Sequence, residues 1–83
     1  MSAVYKLPLV LEPQPEGGFT VTCPLLPELI TEGDSIKEAL DNAEDALTAI
    51  IEAYVDLGRP LPPALQPIAA LAPVWLETAV AVA

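Results

Sequence analysis

The sequence contains one cysteine, Cys23, and no histidine among its 83 residues. A single cysteine cannot form an internal disulfide, and the usual zinc sites need several cysteine or histidine ligands. A nucleophilic serine or thiol would also lack the histidine that normally acts as its base. We therefore expect no catalytic residue, metal or cofactor, so the chain is not predicted to be an enzyme. Cys23 is predicted to be a small buried hydrophobe.

Basic residues are scarce as well. Three Lys and Arg stand against 12 Asp and Glu, which gives a formal net charge of −9. Nucleic-acid binding proteins need positive surfaces for the phosphate backbone, so direct nucleic-acid binding is not expected. The excess of acid favours a basic protein partner. The alternative is that the negative charge only keeps an apolar protein in solution.

The sequence also lacks a long hydrophobic run that is free of prolines. Residues 61–83 have Glu77 as their only charge, but they contain Pro62, Pro63, Pro67 and Pro73. Proline removes backbone hydrogen bonds that a membrane helix must satisfy internally. The first residues do not resemble a signal peptide. We therefore expect a cytoplasmic protein without membrane contact.

Hydrophobic residues, by contrast, are abundant, at 53% of the chain. A chain of this size buries only about 60% of its unfolded surface, so part of its apolar surface has to lie outside a single core. This surplus predicts a homo-oligomer, either a dimer or a tetramer. For self-association we single out four residues near the C-terminus: Val74, Trp75, Leu76 and Val80. For Trp75, ordinary core packing is the alternative role.

Alternating and β-prone residues predict strands before the middle of the chain. Residues 4–11 and 19–23 are predicted to form a hairpin around the turn at 16–18. Residues 29–31 are predicted to form a brief third strand. Pro8 lacks the N–H that a strand ladder needs, which indicates an edge or a bulge at that position.

A long helix is predicted from Ser35 or Ile36 to Leu57. Ser35 lies at the N-cap, and Glu38 follows at the capping-box spacing. Gly33 just before it is predicted to adopt a positive φ, and Gly58 is predicted to be the C′ residue, with Pro60 two residues later. The apolar stripe of this helix comprises Ile36, Leu40, Ala43, Leu47, Ile50, Ile51 and Tyr54.

The order of these elements predicts an α+β fold. One long helix would pack on one face of an antiparallel sheet of three to four strands. Residues 61–73 are predicted to be a proline-rich connector. Residues 74–82 are predicted to form a final strand, with a short helix as the alternative.

The helix also presents an acidic ridge, which we define as Glu38, Asp41, Asp45, Glu52 and Asp56. At about 100° per residue these positions fall within roughly 60° of one another. One interpretation is a docking surface for a basic partner, and the other is an ordinary solvent-facing helix. Carboxylates along one exposed stripe diverge, so a metal site is not expected there.

Several segments, taken in order, resemble the HicB-like antitoxin family. They are Tyr5, residues 16–21, 24–27, 31–35, 38–39 and 42–43, and the helix end at Gly58 and Pro60. The resemblance implies a partial RNase-H-like fold without nuclease activity, and it supplies no catalytic residue. We expect the HicB-like domain to cover residues 1–62, with 63–83 as a connector and terminal strand of the same domain.

The resemblance also implies a function, which is to bind and neutralise a small basic HicA-like toxin, an mRNA interferase. Full-length members usually add a C-terminal DNA-binding segment. The 25 residues after Gly58 are short and contain one basic residue, Arg59, so we expect this chain to lack a DNA-binding domain of its own. Glu28 stands where the family commonly has glycine.

Two other functions stay open. The chain could be an orphan homo-oligomeric scaffold or small-ligand sensor without a toxin partner, and family members of this kind can be solitary. The other alternative is a degenerate hydrolase that retains an RNase-H-like shape. A neighbouring gene for a small basic protein would favour the antitoxin.

Overall fold

The computed structural model describes residues 4–65, 67–68, 73–75, 77 and 79–82. Five strands and one helix follow one another along the chain: β1 (Val4–Tyr5), β2 (Val10–Pro13), β3 (Phe19–Thr22), β4 (Ile30–Gly33), α1 (Ile36–Asp56) and β5 (Pro67–Ile68). Strands β2, β3 and β4 form an antiparallel sheet in that order, and β1 pairs with β5 in a second, two-stranded sheet. Helix α1 packs on β3 and β4. The predicted α+β fold is confirmed, while the RNase-H-like topology stays a prediction.

The register of the three-stranded sheet gives it a covered and an open face. Val21 on the central strand pairs with Leu11 on one side and Thr31 on the other, and it is fully buried. Side chains alternate between the two faces of a sheet, so the neighbouring row through Thr22 and Ile30 points away from α1. Ile30 is accordingly 66% exposed.

The predicted first strand is divided in two. Residues 6–9 belong to no strand, and β1 and β2 on either side of them lie in different sheets. Pro8 lies within this break, where its missing N–H removes a ladder donor. Strand β4 begins one residue later and ends two residues later than predicted. The hairpin of β2 and β3 is confirmed, and residues 14–18 form its loop.

The C-terminal part of the chain differs more from the prediction. Strand β5 lies within the predicted connector and pairs Ile68 with Val4. Of the predicted strand at 74–82, the described residues 74–75, 77 and 79–82 belong to no strand and no helix. The prediction of a regular terminal element is therefore wrong for the described part of this segment.

Both predicted ends of the helix are confirmed. Ser35 has extended backbone angles, and its Oγ accepts a hydrogen bond from the Glu38 N–H at 3.1 Å. At the other end Gly58 has φ 63°. Its N–H donates to the Val55 carbonyl, and the Arg59 N–H donates to the Tyr54 carbonyl, both at 3.0 Å. This is the bonding pattern of a Schellman motif.

Gly33 has a different role from the one predicted. The glycines with positive φ are Gly17, Gly18 and Gly58, and Gly33 is not among them. A Cβ built on Gly33 would instead lie 2.6 Å from the Cα of Ala39 and 2.8 Å from the carbonyl carbon of Glu38. Glycine is needed here because the end of β4 touches the backbone of the first helical turn.

The core is shared between regular elements and loops. Its buried residues are Val21, Cys23, Leu26, Leu29, Ala39, Ala43 and Leu65, which confirms that Cys23 is a buried hydrophobe. Four of them, Cys23, Leu26, Leu29 and Leu65, belong to no helix or strand. The predicted apolar stripe is only partly buried, since Ile36 and Leu40 are 52% and 43% exposed. Ala39 and Ala43 mark the deepest face of α1.

Candidate functional site

All five residues of the acidic ridge are exposed. Asp41 accepts a hydrogen bond and ion pair from Lys37 Nζ at 2.9 Å, one turn away on the same helix. This hydrogen bond and the charge of Asp41 raise the pKa of Lys37 above its ordinary value. Both side chains are largely in solvent, where an ion pair contributes little to stability. Because Lys37 is the one basic residue of α1 and the ridge has five carboxylates, the ridge stays negatively charged.

The structure places the two ends of the ridge in different surroundings. Glu38 lines a polar pocket of about 300 Å³ at the start of α1, together with Glu16, Glu32 and Asp34. The hairpin loop and the end of β4 bring these three additional carboxylates to the helix. Sequence reasoning missed them because their proximity depends on the sheet register, which the sequence spacing does not show.

The carboxylates of this pocket do not converge on a point. In the residues that the structure describes, no three side chains of the metal-binding types lie close enough together to hold an ion. The pocket therefore offers negative potential to a cationic group from outside, without a geometry for coordination.

At the other end of the ridge, Glu52 lines a largely apolar cleft of about 670 Å³ between α1 and the N-terminal segment. We call this the α1 cleft. It is lined by Val4, Tyr5, Leu7, Leu9, Leu29, Leu40, Ala43, Glu44, Leu47, Thr48, Ile51 and Glu52. The sequence did not predict it, because its second wall consists of the residues around the break after β1.

Helical spacing arranges the α1 side of the cleft in two rows. Ala43, Leu47 and Ile51 follow at four-residue intervals and are buried or half-buried, so they form the floor. Glu44 and Glu52 are eight residues apart, which is twice the same four-residue interval. Both are exposed on the rim. Thr48 lies between these two carboxylates, and its Oγ1 donates to the Glu44 carbonyl at 3.0 Å.

One further polar contact connects the second half of α1 with the loop between β3 and β4. The Tyr54 hydroxyl donates to Glu28 Oε2 at 2.7 Å. This hydrogen bond lowers the pKa of Glu28 and raises that of Tyr54. Glu28, which departs from the residue expected in the family, therefore has a structural partner in this chain.

Of the residues predicted for self-association, Trp75 lies against the N-terminal segment. Lys6 Nζ donates to the Pro73 carbonyl at 3.2 Å and lies 4.1 Å from the centre of the Trp75 ring. Trp75 is 81% exposed, so ordinary core packing is not its role. Val74 and Val80 are exposed as well, and Leu76 lies outside the described residues.

Helix α1 is too polar to cross a membrane, and the described residues contain no other helix that is long and apolar enough to do so. The acidic residues that recur along both sides of α1 account for its polarity.

Comparison with known proteins gives the family. Residues 6–82 match the model of the HicB_like antitoxin of bacterial toxin-antitoxin systems. The chain is 42% identical over 57 residues to Antitoxin HicB 1 of Photorhabdus laumondii, covering 69% of this chain and 37% of that relative. It is 37% identical over 57 residues to Antitoxin HicB of Escherichia coli K12, covering 69% of this chain and 41% of the relative.

A shorter relative is the UPF0150 protein ssr1765 of Synechocystis, with 30% identity over 59 residues, 71% of this chain and 75% of that protein. The chain thus spans about two fifths of the length of the HicB antitoxins and most of the length of the Synechocystis protein. The family match at residues 6–82 includes the three-stranded sheet and helix α1, and with them the whole acidic ridge. This chain belongs to the HicB-like antitoxin family of bacterial toxin–antitoxin systems.

Proposed function

We propose that this domain binds and sequesters a small basic toxin of the HicA type, an mRNA interferase, through the acidic surface of α1. Family membership supplies the toxin–antitoxin context. The observation that supports this surface is the charge of α1, which has six exposed carboxylates and one basic residue, Lys37. Lys37 is itself paired with Asp41.

The charges and the apolar surface have different tasks in this proposal. Complementary charges mainly accelerate association and suppress wrong partners, while apolar contacts set the affinity. Glu38, Asp41 and Asp45 would meet the toxin first, with Glu52 and Asp56 extending the same ridge. With three basic residues in all, these 83 residues are poorly suited to bind operator DNA themselves. Because such a toxin acts on mRNA, we expect the domain to work in the cytoplasm.

The test is a binding and RNA-cleavage assay with a purified small basic toxin of the HicA type. The wild-type domain should form a complex at low salt that weakens at high salt, and it should inhibit RNA cleavage. Asp41→Lys with Asp45→Lys should slow association about tenfold and flatten its salt dependence. Absence of any complex at low salt would contradict sequestration.

The matched control is Glu12→Lys with Glu77→Lys, two exposed carboxylates outside α1. It changes the net charge by the same amount as the ridge variant. Equal association rates in the two double variants would show that only net charge matters and would remove the ridge from the proposal.

A second function is favoured by the exposed apolar residues near the C-terminus. Val74, Trp75 and Val80 present apolar surface to solvent, and such surface is commonly covered by another subunit. We propose that the domain forms a dimer or tetramer through these residues, with or without a toxin. Light scattering should give a mass above that of the monomer, and Val74→Gln with Val80→Gln should reduce it. A monomeric wild-type protein would contradict this proposal.

A further inference from the structure

The α1 cleft combines an apolar floor with an acidic rim. Ala43, Leu47 and Ile51 form the floor along the helix, and Glu44 and Glu52 are exposed on its rim. Among the described residues that line the cleft, none is basic. The surface thus suits a ligand that has an apolar face flanked by positive charges.

The dimensions of the cleft suit a short helix. Its helical wall runs from Leu40 to Glu52, about 18 Å at a rise of 1.5 Å per residue. An amphipathic helix of about three turns is this long, and its apolar residues recur at i, i+3 or i+4, and i+7. Leu40, Leu47 and Ile51 offer contacts at matching intervals along the wall.

A second copy of this chain fits the cleft less well than a basic partner. Each copy has a formal net charge of −9, so two copies would bring like charges together around the rim. Like charges across an interface are unfavourable. The charge of the rim therefore decides between these two occupants.

We propose that the α1 cleft receives an amphipathic helix of a basic protein partner, with apolar side chains on the floor and Lys or Arg side chains at Glu44 and Glu52. This inference rests on the proposed function, since the partner in question is the basic toxin, and it names the contact that sets affinity. The acidic ridge would guide the approach, and the cleft would hold the partner.

The direct test uses a synthetic probe instead of the toxin. A fluorescent helical peptide of about 14 residues is made from leucine and lysine with leucines at i, i+3, i+4 and i+7. A second peptide has the same composition in a scrambled order that removes the apolar face. At about 0.15 M salt the amphipathic peptide should bind the wild-type domain at least tenfold more tightly than the scrambled one. Equal affinities would overturn the inference.

Variants on the cleft and matched variants elsewhere on α1 locate the site. Leu40→Gln should lower the affinity for the amphipathic peptide about fivefold. Val55→Gln changes another exposed apolar residue of the same helix, 65% exposed and outside the cleft lining, and it should leave the affinity within about twofold. Both positions are exposed enough for the fold to survive, which circular dichroism verifies.

The rim is tested in the same way. Glu44→Gln with Glu52→Gln should weaken binding of the amphipathic peptide about fivefold, whereas Glu12→Gln with Glu77→Gln removes the same charge from outside α1 and should have less than half that effect. Equal losses in the two double variants would reduce the interaction to net charge and would contradict the inference.

The toxin then separates this inference from the proposed function. If the toxin forms no complex with the wild-type domain, the proposed function fails, whatever the peptide does. If the toxin binds but Leu40→Gln leaves its dissociation rate unchanged, the proposed function stands and the cleft is overturned. We expect the toxin to bind and Leu40→Gln to accelerate its dissociation about fivefold.

Discussion

The two ends of α1 are fixed to the rest of the molecule by different means. At its start the helix uses small residues: Ala39 and Ala43 are buried, and the backbone of Gly33 touches the first turn. Toward its end the helix uses large side chains, and Leu47 and Ile51 stay half-exposed beside the α1 cleft. Small residues allow two backbones to meet, whereas large ones leave an uneven surface between elements. The closely packed end thus positions the helix, and the open end leaves surface for a partner.

This difference predicts unequal tolerance to substitution. A close backbone contact cannot be relieved by a change of rotamer, while an exposed side chain can reorient into solvent. Substitutions at the close contacts of Gly33, Ala39 and Ala43 should therefore reduce folding stability, whereas substitutions at exposed cleft positions such as Leu40 should affect binding more than folding.

Gly33→Ala should have the largest effect. The added Cβ would lie 2.6 Å from the Ala39 Cα, and the neighbouring atoms belong to the backbone. Overpacking a closed contact costs about 3 kcal/mol or more where nothing can move aside. Urea unfolding followed by circular dichroism should show this loss or an unfolded protein.

Gly17→Ala is the matched control for that substitution. Gly17 has φ 102°, and a Cβ there would have nothing within 4 Å. Its cost should be about 1 to 2 kcal/mol, from backbone strain alone. If the two variants were equally stable, the close contact at the start of α1 would not be what makes Gly33 necessary.

Leu29→Ala should have the next largest effect, and it tests the packing beneath the second half of α1. Leu29 is 1% exposed, although it belongs to a loop, and it also lines the α1 cleft. Removing a buried leucine side chain costs about 3 kcal/mol. Its neighbour Ile30 is exposed on the open sheet face. Ile30→Ala should therefore lower the free energy of unfolding by less than about 1 kcal/mol. Similar losses would mean that the loop is not part of the core beneath the second half of α1.

Ser35→Ala should reduce the free energy of unfolding by about 1 kcal/mol, because it removes the acceptor of the Glu38 N–H. Ser35→Asp keeps an acceptor at the N-cap and adds a negative charge near the positive end of the helix dipole. It should therefore be at least as stable as the wild type in thermal unfolding. A loss in Ser35→Asp equal to that in Ser35→Ala would show that the cap does not stabilise α1.

The two ends of α1 were accessible to sequence reasoning because the signals that fix them are local. Ser35 and Gly58 act within one helical turn of their own positions, and both have the predicted roles. Gly33 is required for a different reason from the predicted turn, since a Cβ there would meet the backbone of Ala39. A turn and a close approach both demand glycine, and one sequence does not separate the two.

What lies between the ends of α1 was harder to predict. Periodicity placed the acidic ridge correctly on an exposed face, but it also placed Ile36 and Leu40 in the apolar stripe, and both are exposed. Glu44 lies on the rim of a cleft only because residues 4–9 form the opposite wall, and the break at Pro8 lies within these residues.

The pairing of β5 with β1 was also beyond sequence reasoning, because it joins residues more than 60 positions apart. Such long-range pairings leave no local pattern in the sequence.

Tyr54→Phe should have the smallest effect on stability and a characteristic pH dependence. The Tyr54 hydroxyl holds the pKa of Glu28 below its ordinary value of 4.5, so this contact contributes stability above that pH and loses it as the pH falls through the lowered pKa. The pKa of Tyr54 is raised above 10.0, so the contact is also lost in strong alkali. Thermal midpoints of wild type and variant should differ slightly at neutral pH and converge as the pH falls through the lowered pKa of Glu28.

Tyr5→Phe removes a hydroxyl elsewhere in the molecule and should show no such convergence. A constant difference between Tyr54→Phe and wild type at every pH would mean that Glu28 does not take part. Convergence would instead show that this exposed hydrogen bond adds to the packing that holds the open end of α1 to the loop of Glu28. Because that loop also contributes Leu29 to the α1 cleft, loosening it should widen the cleft without unfolding the closely packed end. The two ends of α1 would then differ in stability as well as in packing.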